Sequence, residues 1–237
     1  MIPEFHNQRG HKRGYDLEEL RKVQEKIAAR VIVEDLFKDP IQAVTGFDIA
    51  YLNDEAVAAA VTMDYETLQV VEEKTLVEHV SFPYIPSLLG FREGPLIIKL
   101  ADRLRLEPDI LMVNAQGIAH PFFCGCASHI GVLINKPTIG VARTRLCGDY
   151  EREPETVGEW VPLTYDARTV GAVLLSKRGC RPIFVSVGHM ITLESAVKIV
   201  KHFLTVHKFP EPLRLSHVLA NRVKRNSKLS CDSDRLC

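Results

Sequence analysis

The sequence predicts an α/β fold in which helices flank one mixed β-sheet. Three β-rich runs follow one another closely at 43–51, 55–63 and 67–77, and the short polar breaks between them are typical of an antiparallel meander of two hairpins. From residue 88 onward, helical spacing of apolar residues alternates with short apolar runs. Because such alternation requires crossover connections, we expect the three antiparallel strands to be followed by parallel strands.

The first predicted helix covers residues 16–38, where apolar residues recur at near-helical spacing. Asp16 and Glu18 stand near its N-terminal end, where acidic side chains interact favourably with the helix dipole. The turn at Asp39-Pro40 then separates this helix from the three β-rich runs.

Helices and strands alternate in the second half of the chain. We predict helices at 88–106, 125–134, 192–207 and 213–225, and strands at 109–114, 138–142, 170–177 and 182–187. Thr192 fits an N-cap, and Pro210 and Pro212 separate the last two helices. We expect a single domain over residues 1–227 and a disordered polar tail at 228–237.

The charge balance excludes a simple electrostatic argument for a nucleic-acid partner. The 237 residues include 30 basic and 30 acidic side chains, so the formal net charge is zero. Basic residues nevertheless cluster near both ends, and each cluster is either a phosphate-facing patch or a solvated basic end. They are Arg9, Lys12 and Arg13 at the N-terminus, and Arg214, Arg222, Lys224, Arg225 and Lys228 at the C-terminus.

The six cysteines are scattered through a chain that is large enough to build its own core, so a disulfide framework is unnecessary and a reducing compartment fits best. The N-terminal stretch is polar and lacks the apolar core of a signal peptide, and no window reaches the length of a membrane-spanning helix. We therefore expect a cytoplasmic monomer that has no membrane partner.

The segment at 109–121 is the most informative one, because an apolar strand-like run stops at Asn114 just before a glycine turn. In α/β proteins, sites collect at such strand ends. Asp48 lies in the middle of the first predicted strand, where a buried carboxylate must meet a cation, a donor or water, unless the position faces solvent. Gly46, on the same face, permits close approach by another backbone or a ligand.

Two further segments have both a structural and a functional interpretation. Glu93 is either a first-turn glutamate that interacts with the helix dipole or a functional carboxylate. Pro83 and Pro86 fix the backbone of a short loop that contains Tyr84 and Ile85. These two side chains either project as a rigid wedge that enters a base stack, or pack on the core as in an ordinary proline-rich turn.

A zinc site is one alternative for the segment with His120, Cys124, Cys126 and His129, although this spacing matches no usual zinc pattern. The other interpretation is that the two cysteines pack around a phosphate-binding helix N-terminus.

Several segments, taken in order, closely resemble the endonuclease V family, and the resemblance spans about residues 15–225. They are GFDIAY (46–51), PYIP (83–86), LLGFREGP (88–95), VNAQGIAHP (113–121), GCASHIGVLINKPTIGVARTRL (125–146), PIFVSVGH (182–189) and FPEPLRLSH (209–217). The resemblance implies a ribonuclease-H-like fold and a DNA-repair nuclease that recognises inosine in DNA or RNA. It also implies cleavage of the second phosphodiester bond on the 3′ side, with magnesium or, as a substitute, manganese.

The resemblance also implies roles for individual residues. Asp48 and Glu93 match the first two catalytic carboxylates, which bind the metal together with the residue at position 114. The segment Pro83, Tyr84, Ile85 and Pro86 matches a strand-separating wedge. Leu89, Ala115, Gly125 and Leu146 match positions of the inosine pocket, and His120, Arg143 and His217 match catalytic positions.

The chain departs from the family pattern around the same site. Asn114 stands where the family has a third catalytic aspartate, so the resemblance implies weaker metal binding and slow or absent cleavage. Ala115 and Ser87 stand where glycines are usual, Phe122-Phe123 replaces a basic pair, and Arg143 replaces a lysine.

Two hypotheses follow. The first is a metal-dependent endonuclease acting at inosine, in which Asn114 is either tolerated or an introduced substitution that traps substrate. The second is an inosine- or nucleic-acid-binding relative with weak or no activity. Nothing local in the sequence distinguishes DNA from RNA as the substrate.

Overall fold

The computed structural model describes residues 14–233, and the side chains of residues 14–226. The N-terminal basic cluster of Arg9, Lys12 and Arg13 lies outside the described residues, as do residues 234–237 of the predicted tail. Among the described residues, no helix has the length and apolar character needed to cross a membrane.

In the described part of the chain, eight strands form one mixed sheet. They are β1 (Ala43–Leu52), β2 (Glu55–Asp64), β3 (Val70–His79), β4 (Ile110–Val113), β5 (Thr138–Ala142), β6 (Trp160–Tyr165), β7 (Arg168–Leu174) and β8 (Ile183–His189). Their order across the sheet is β3-β2-β1-β4-β5-β8-β7-β6. The predicted meander of β1, β2 and β3 is antiparallel, and β4 and β5 continue the sheet in parallel with β1.

The sheet beyond β5 is antiparallel throughout, because β8 pairs antiparallel with β5, β7 with β8 and β6 with β7. No helix separates these last three strands along the chain, so a parallel crossover is not required. Strand β6 was not predicted from the sequence. It contains Pro162 and occupies the sheet edge, where a missing backbone donor is tolerated.

Within residues 14–233, five helices cover the sheet: α1 (Leu17–Ala28), α2 (Leu89–Ala101), α3 (Cys126–Ile134), α4 (Leu193–His202) and α5 (Glu211–Ser233). Helix α1 ends well before residue 38, the predicted end. The backbone beyond it bonds to the chain after β8 instead, through Leu36 N–H to Met190 O and Met190 N–H to Ile32 O. Val31 and Phe37 are therefore apolar because they pack on the core, and their spacing only imitates the continuation of a helix.

Among the described residues, the two largest apolar clusters lie on opposite faces of the sheet. One contains β-strand residues such as Val44 with Phe203 of α4's C-terminal end, and the other contains Phe47 with Leu100 of α2 and Ile130 of α3. Helix α5 packs directly on β1 because Gly46 lacks a side chain: a Cβ there would lie 2.7 Å from the backbone nitrogen of Leu213. This is the close backbone approach that the glycine predicted.

We expect Gly46→Ala to lower the free energy of unfolding by about 2–4 kcal/mol, because the added methyl group must push the first turn of α5 off the sheet. Chemical denaturation measures this change. Gly94→Ala is the matched control: its Cβ meets nothing closer than 3.8 Å inside α2, so it should stabilise by about 0.5–1 kcal/mol. Equal stability of the Gly46→Ala and parent proteins would contradict the close packing.

Candidate active site

The parallel pairing of β1 and β4 places Asp48 beside Asn114. Phe47 pairs with Val113 in this register, so the next residue of each strand takes the next position on a shared face. The Asn114 backbone N–H extends the pairing to Phe47 O at 3.1 Å. Its side-chain Nδ2 donates to Asp48 Oδ1 at 2.7 Å.

Helix α5 brings His217 to the second oxygen of the same carboxylate. His217 Nδ1 lies 2.6 Å from Asp48 Oδ2, and Asn221, one turn later, donates from Nδ2 to His217 O at 2.9 Å. Asp48 is buried, with 7% of its surface exposed, so the solvent-facing interpretation is wrong. Both carboxylate oxygens have partners, which offsets the cost of burying the group.

Glu93 lies beyond the first turn of α2, which contains no acidic residue, so the interpretation as a first-turn dipole partner is wrong. Tyr51 of β1 donates its hydroxyl to Glu93 Oε1 at 3.0 Å, and the guanidinium of Arg92 covers the Tyr51 ring at 4.3 Å from its centroid. Burial raises the pKa of Glu93 to about 7, against the hydrogen bond from Tyr51, and the negative charge of Asp48 raises it further. Glu93 and Asp48 therefore belong to one electrostatic site.

His120 joins two loops. Its Nδ1 accepts the backbone N–H of Phe122 at 3.2 Å, which leaves Nε2 as the donor to Ser87 O at 2.9 Å. Burial lowers the pKa of His120 to about 4, so the ring is neutral at neutral pH. Ser87 itself has a φ of 69°, the left-handed region that favours glycine.

A cavity of about 300 Å³ opens beside Asn114. Its lining includes the following residues singled out from the sequence: Tyr84, Ile85, Leu89, Asn114, Ala115, His120, Gly125, Arg143 and Leu146. The structure thus gathers side chains that lie far apart in sequence around one space.

The loop of Pro83, Tyr84, Ile85 and Pro86 forms one rim of this cavity. Tyr84 projects with 71% of its surface exposed, whereas Ile85 packs against the cluster that contains Phe82. The expectation that both side chains project therefore holds only for Tyr84.

The cavity wall depends on close backbone packing at Gly125. A Cβ at this glycine would lie 2.7 Å from the carbonyl carbon of Gln116. Gln116 is buried; its Nε2 donates to Thr144 O at 2.9 Å, while its Oε1 is buried without a hydrogen-bond partner.

The zinc alternative is wrong. Among residues 14–226, no group of three or more His, Cys, Asp or Glu side chains could hold a metal ion. Cys124 and Cys126 are buried thiols, and burial raises the pKa of Cys124 to about 12. His129 packs edge-on against Phe91 with a centroid distance of 4.8 Å. These side chains fill the core around α3.

Sequence reasoning missed several residues of this site: Gln24, Tyr51, Arg92, Gln116 and Asn221. Arg92 adjoins Glu93, and Tyr51 follows Asp48 by three residues, but the partner of a carboxylate has no spacing signature of its own. Gln24 lies on α1 and donates to the backbone of Ser87 and Cys124, a contact between residues far apart along the chain.

Comparisons with known proteins identify similar chains. The family model described as Endonuclease V matches residues 25–218. The Endonuclease V of Roseiflexus castenholzii is 42% identical over 207 residues, which cover 87% of this chain and 93% of the relative.

Solved structures agree with this match. The Endonuclease V of Streptomyces avermitilis superposes with a TM-score of 0.84 at 39% identity, covering 91% of this chain and 96% of that one. The Ciona intestinalis Endonuclease V (D234N), solved in complex with a DNA 23-mer that contains an inosine followed by a ribo-adenosine, gives a TM-score of 0.78 at 27% identity. That match covers 89% of this chain and 97% of the other.

Proposed function

The chain belongs to the endonuclease V family, and on that premise we propose that it is a divalent-metal-dependent endonuclease that recognises inosine in nucleic acid and hydrolyses the second phosphodiester bond 3′ to it. One observation supports this most directly: Asn114 lines a base-sized cavity and contacts Asp48, whose charge acts on Glu93. The inosine-containing DNA bound by the Ciona relative supports the substrate.

The side chains at this site fit a hard divalent cation. Asp48 and Glu93 supply carboxylate oxygens and Asn114 can supply an amide oxygen, which are the ligands that magnesium and manganese prefer. When bound, such an ion activates water and neutralises charge on the leaving oxygen. Tyr51 holds one oxygen of Glu93, and His217 holds one oxygen of Asp48, so both carboxylates are oriented by neighbours.

The cavity suits an extruded base. Its volume of about 300 Å³ is at the lower end for small-molecule sites. Tyr84, exposed at the rim, is positioned to fill the space that the base leaves in the stack, which offsets part of the unstacking cost of roughly a few kcal/mol. Backbone groups near Gly125 can read the edge of the base.

A second function, binding inosine without cleavage, is favoured by the Asn114 contact. The Nδ2 group of Asn114 donates to the Asp48 oxygen that a cation would need, so the amide must turn before its own oxygen can face the same ion. The orientation of the Asn114 amide hinders cation binding, but it does not hinder the cavity residues that would bind the base.

An end-labelled strand with one inosine tests both functions against the same strand with adenosine, each made as DNA and as RNA. With magnesium or manganese, cleavage at the inosine strand alone, one nucleotide beyond the lesion, supports the nuclease. Preferential binding without cleavage supports the binding protein. Equal binding to both strands with no cleavage would overturn both.

We expect metal binding to strengthen as the pH rises through about 7, because the proton on Glu93 competes with the cation. In the metal-free protein, this raised pKa stabilises the fold at low pH, and the contribution is lost as the pH rises from about 4.5 through 7. We therefore expect the unfolding free energies of the parent and Glu93→Gln proteins, measured in EDTA, to change differently with pH between about 4.5 and 7. Outside that range, the two should change with pH in parallel. A pH-independent difference between them would contradict the raised pKa.

A further inference from the structure

Arginine side chains cover aromatic rings beside the cavity. The Arg21 guanidinium of α1 lies 5.6 Å from the Phe122 ring centroid, and that of Arg168 on β7 lies 5.1 Å from the Phe123 centroid. A third pair repeats the arrangement, since Arg145, which lines the cavity, covers Tyr150 at 5.6 Å.

The inner faces of the two phenylalanines are fixed by packing. The Phe122 ring lies 6.1 Å from the ring of His120, which lines the cavity, and the Phe123 ring lies 5.8 Å from that of Tyr165. Both phenylalanines are half-buried, and Phe123 is held at a φ of 50°, an uncommon conformation for a residue with a side chain. The rings are therefore rigid supports, and the exposed arginines form their outer surface.

The two arginines carry unneutralised charge. Within the part of the chain whose side chains are described, neither Arg21 nor Arg168 forms an ion pair. A guanidinium stacked on a ring keeps its outer plane and its N–H groups available, the plane for a base and the N–H groups for a phosphate.

We propose that Arg21, Phe122, Phe123 and Arg168 form a stacking platform for unpaired bases of the nucleic-acid strand that enters the cavity. Two features of the platform favour a nucleic-acid strand as its ligand. The planes of the rings and guanidinium groups can stack on bases, and the positive charges of the arginines can bind the phosphates between those bases. The platform is continuous with the cavity through His120. The identity of the bound strand rests on the proposed function, whereas stacking itself does not require cleavage.

Replacing each arginine by lysine tests this platform, because lysine keeps the charge but lacks the planar group. Binding is measured in EDTA by fluorescence anisotropy with two single strands of equal length, one with natural bases on both sides of an inosine and one with abasic residues there. We expect Arg21→Lys/Arg168→Lys to weaken binding of the natural strand by about tenfold and of the abasic strand by less than about twofold. Phe122→Leu should act in the same direction, and Arg103→Lys is the control at an exposed arginine outside the platform and the cavity lining.

Two results would overturn the platform: no change on either strand, or an equal loss on both, which would mean that the arginines contact only phosphates. The same strands with adenosine in place of inosine separate this inference from the proposed function. Selective loss on natural flanks without any inosine preference supports the platform while the proposed function fails. Inosine-specific cleavage with unchanged binding by the variants supports the proposed function and contradicts the platform.

Discussion

Asn114→Asp should increase metal-dependent cleavage at inosine by about 100-fold. The substitution supplies a third carboxylate at the strand end beside Asp48, and it removes the amide donor that now occupies Asp48 Oδ1. Both changes strengthen cation binding, and the added charge stabilises the transition state. Single-turnover cleavage of an end-labelled inosine strand measures the rate, and magnesium titration by calorimetry measures the affinity.

The same variant should be less stable than the parent in EDTA, by about 1–2 kcal/mol, because two carboxylates then face each other without an intervening charge. Added magnesium should reverse this order. Asn53→Asp is the matched control, since Asn53 lies in the exposed turn between β1 and β2. A parent chain that cleaves as fast as Asn114→Asp would show that the amide is a sufficient ligand.

The Asn114 contact also bears on how the site exists without a cation. Two acidic side chains close together repel each other, and here the repulsion is relieved locally: Asn114 and His217 donate to Asp48, and Glu93 takes up a proton more readily. An aspartate at position 114 would lack the donor. The amide thus stabilises the metal-free site, and under the proposed function it should weaken the binding of a cation there.

The central part of the fold could be predicted from the sequence because its signals are local. The antiparallel meander follows from short polar breaks, and the parallel β4 and β5 follow from the helices between them. The end of α1 could not be predicted, because Val31 and Phe37 continue the helical spacing of apolar residues only through their packing on the core, which is a tertiary contact. Strand β6 was missed because Pro162 opposes a strand unless the position is an edge, and edge position is a property of the whole sheet.

The candidate site was predictable where a residue breaks a local rule. Asp48 is a carboxylate inside an apolar strand and Asn114 is a polar stop after one, and these two contact each other. Tyr51, which holds Glu93, breaks no rule, since a tyrosine at a strand end is ordinary. The cation–π pairs of Phe122 and Phe123 were equally hidden, because their arginines come from α1 and β7.

Asp48→Asn, made in the Asn114→Asp background so that activity is measurable, should reduce cleavage by at least about 1,000-fold. Asp48 is the residue that His217 and Asn114 both contact, and its charge acts on Glu93. The amide has the same size, so the packing of α5 on β1 is retained and the loss reports charge. Asp102→Asn, at the exposed C-cap of α2, is the control for removing one carboxylate elsewhere.

The pH dependence gives this variant a second readout that a folding defect would not produce. The negative charge of Asp48 contributes to the raised pKa of Glu93, so removing it should lower that pKa toward its ordinary value. In EDTA, with Asn114 unchanged, the loss of unfolding stability should therefore still begin near pH 4.5 but should end at a lower pH than in the parent and be smaller in total. Loss of cleavage with an unshifted stability profile would mean that Asp48 and Glu93 do not share one electrostatic site, and the proposed cation could not be bound by both.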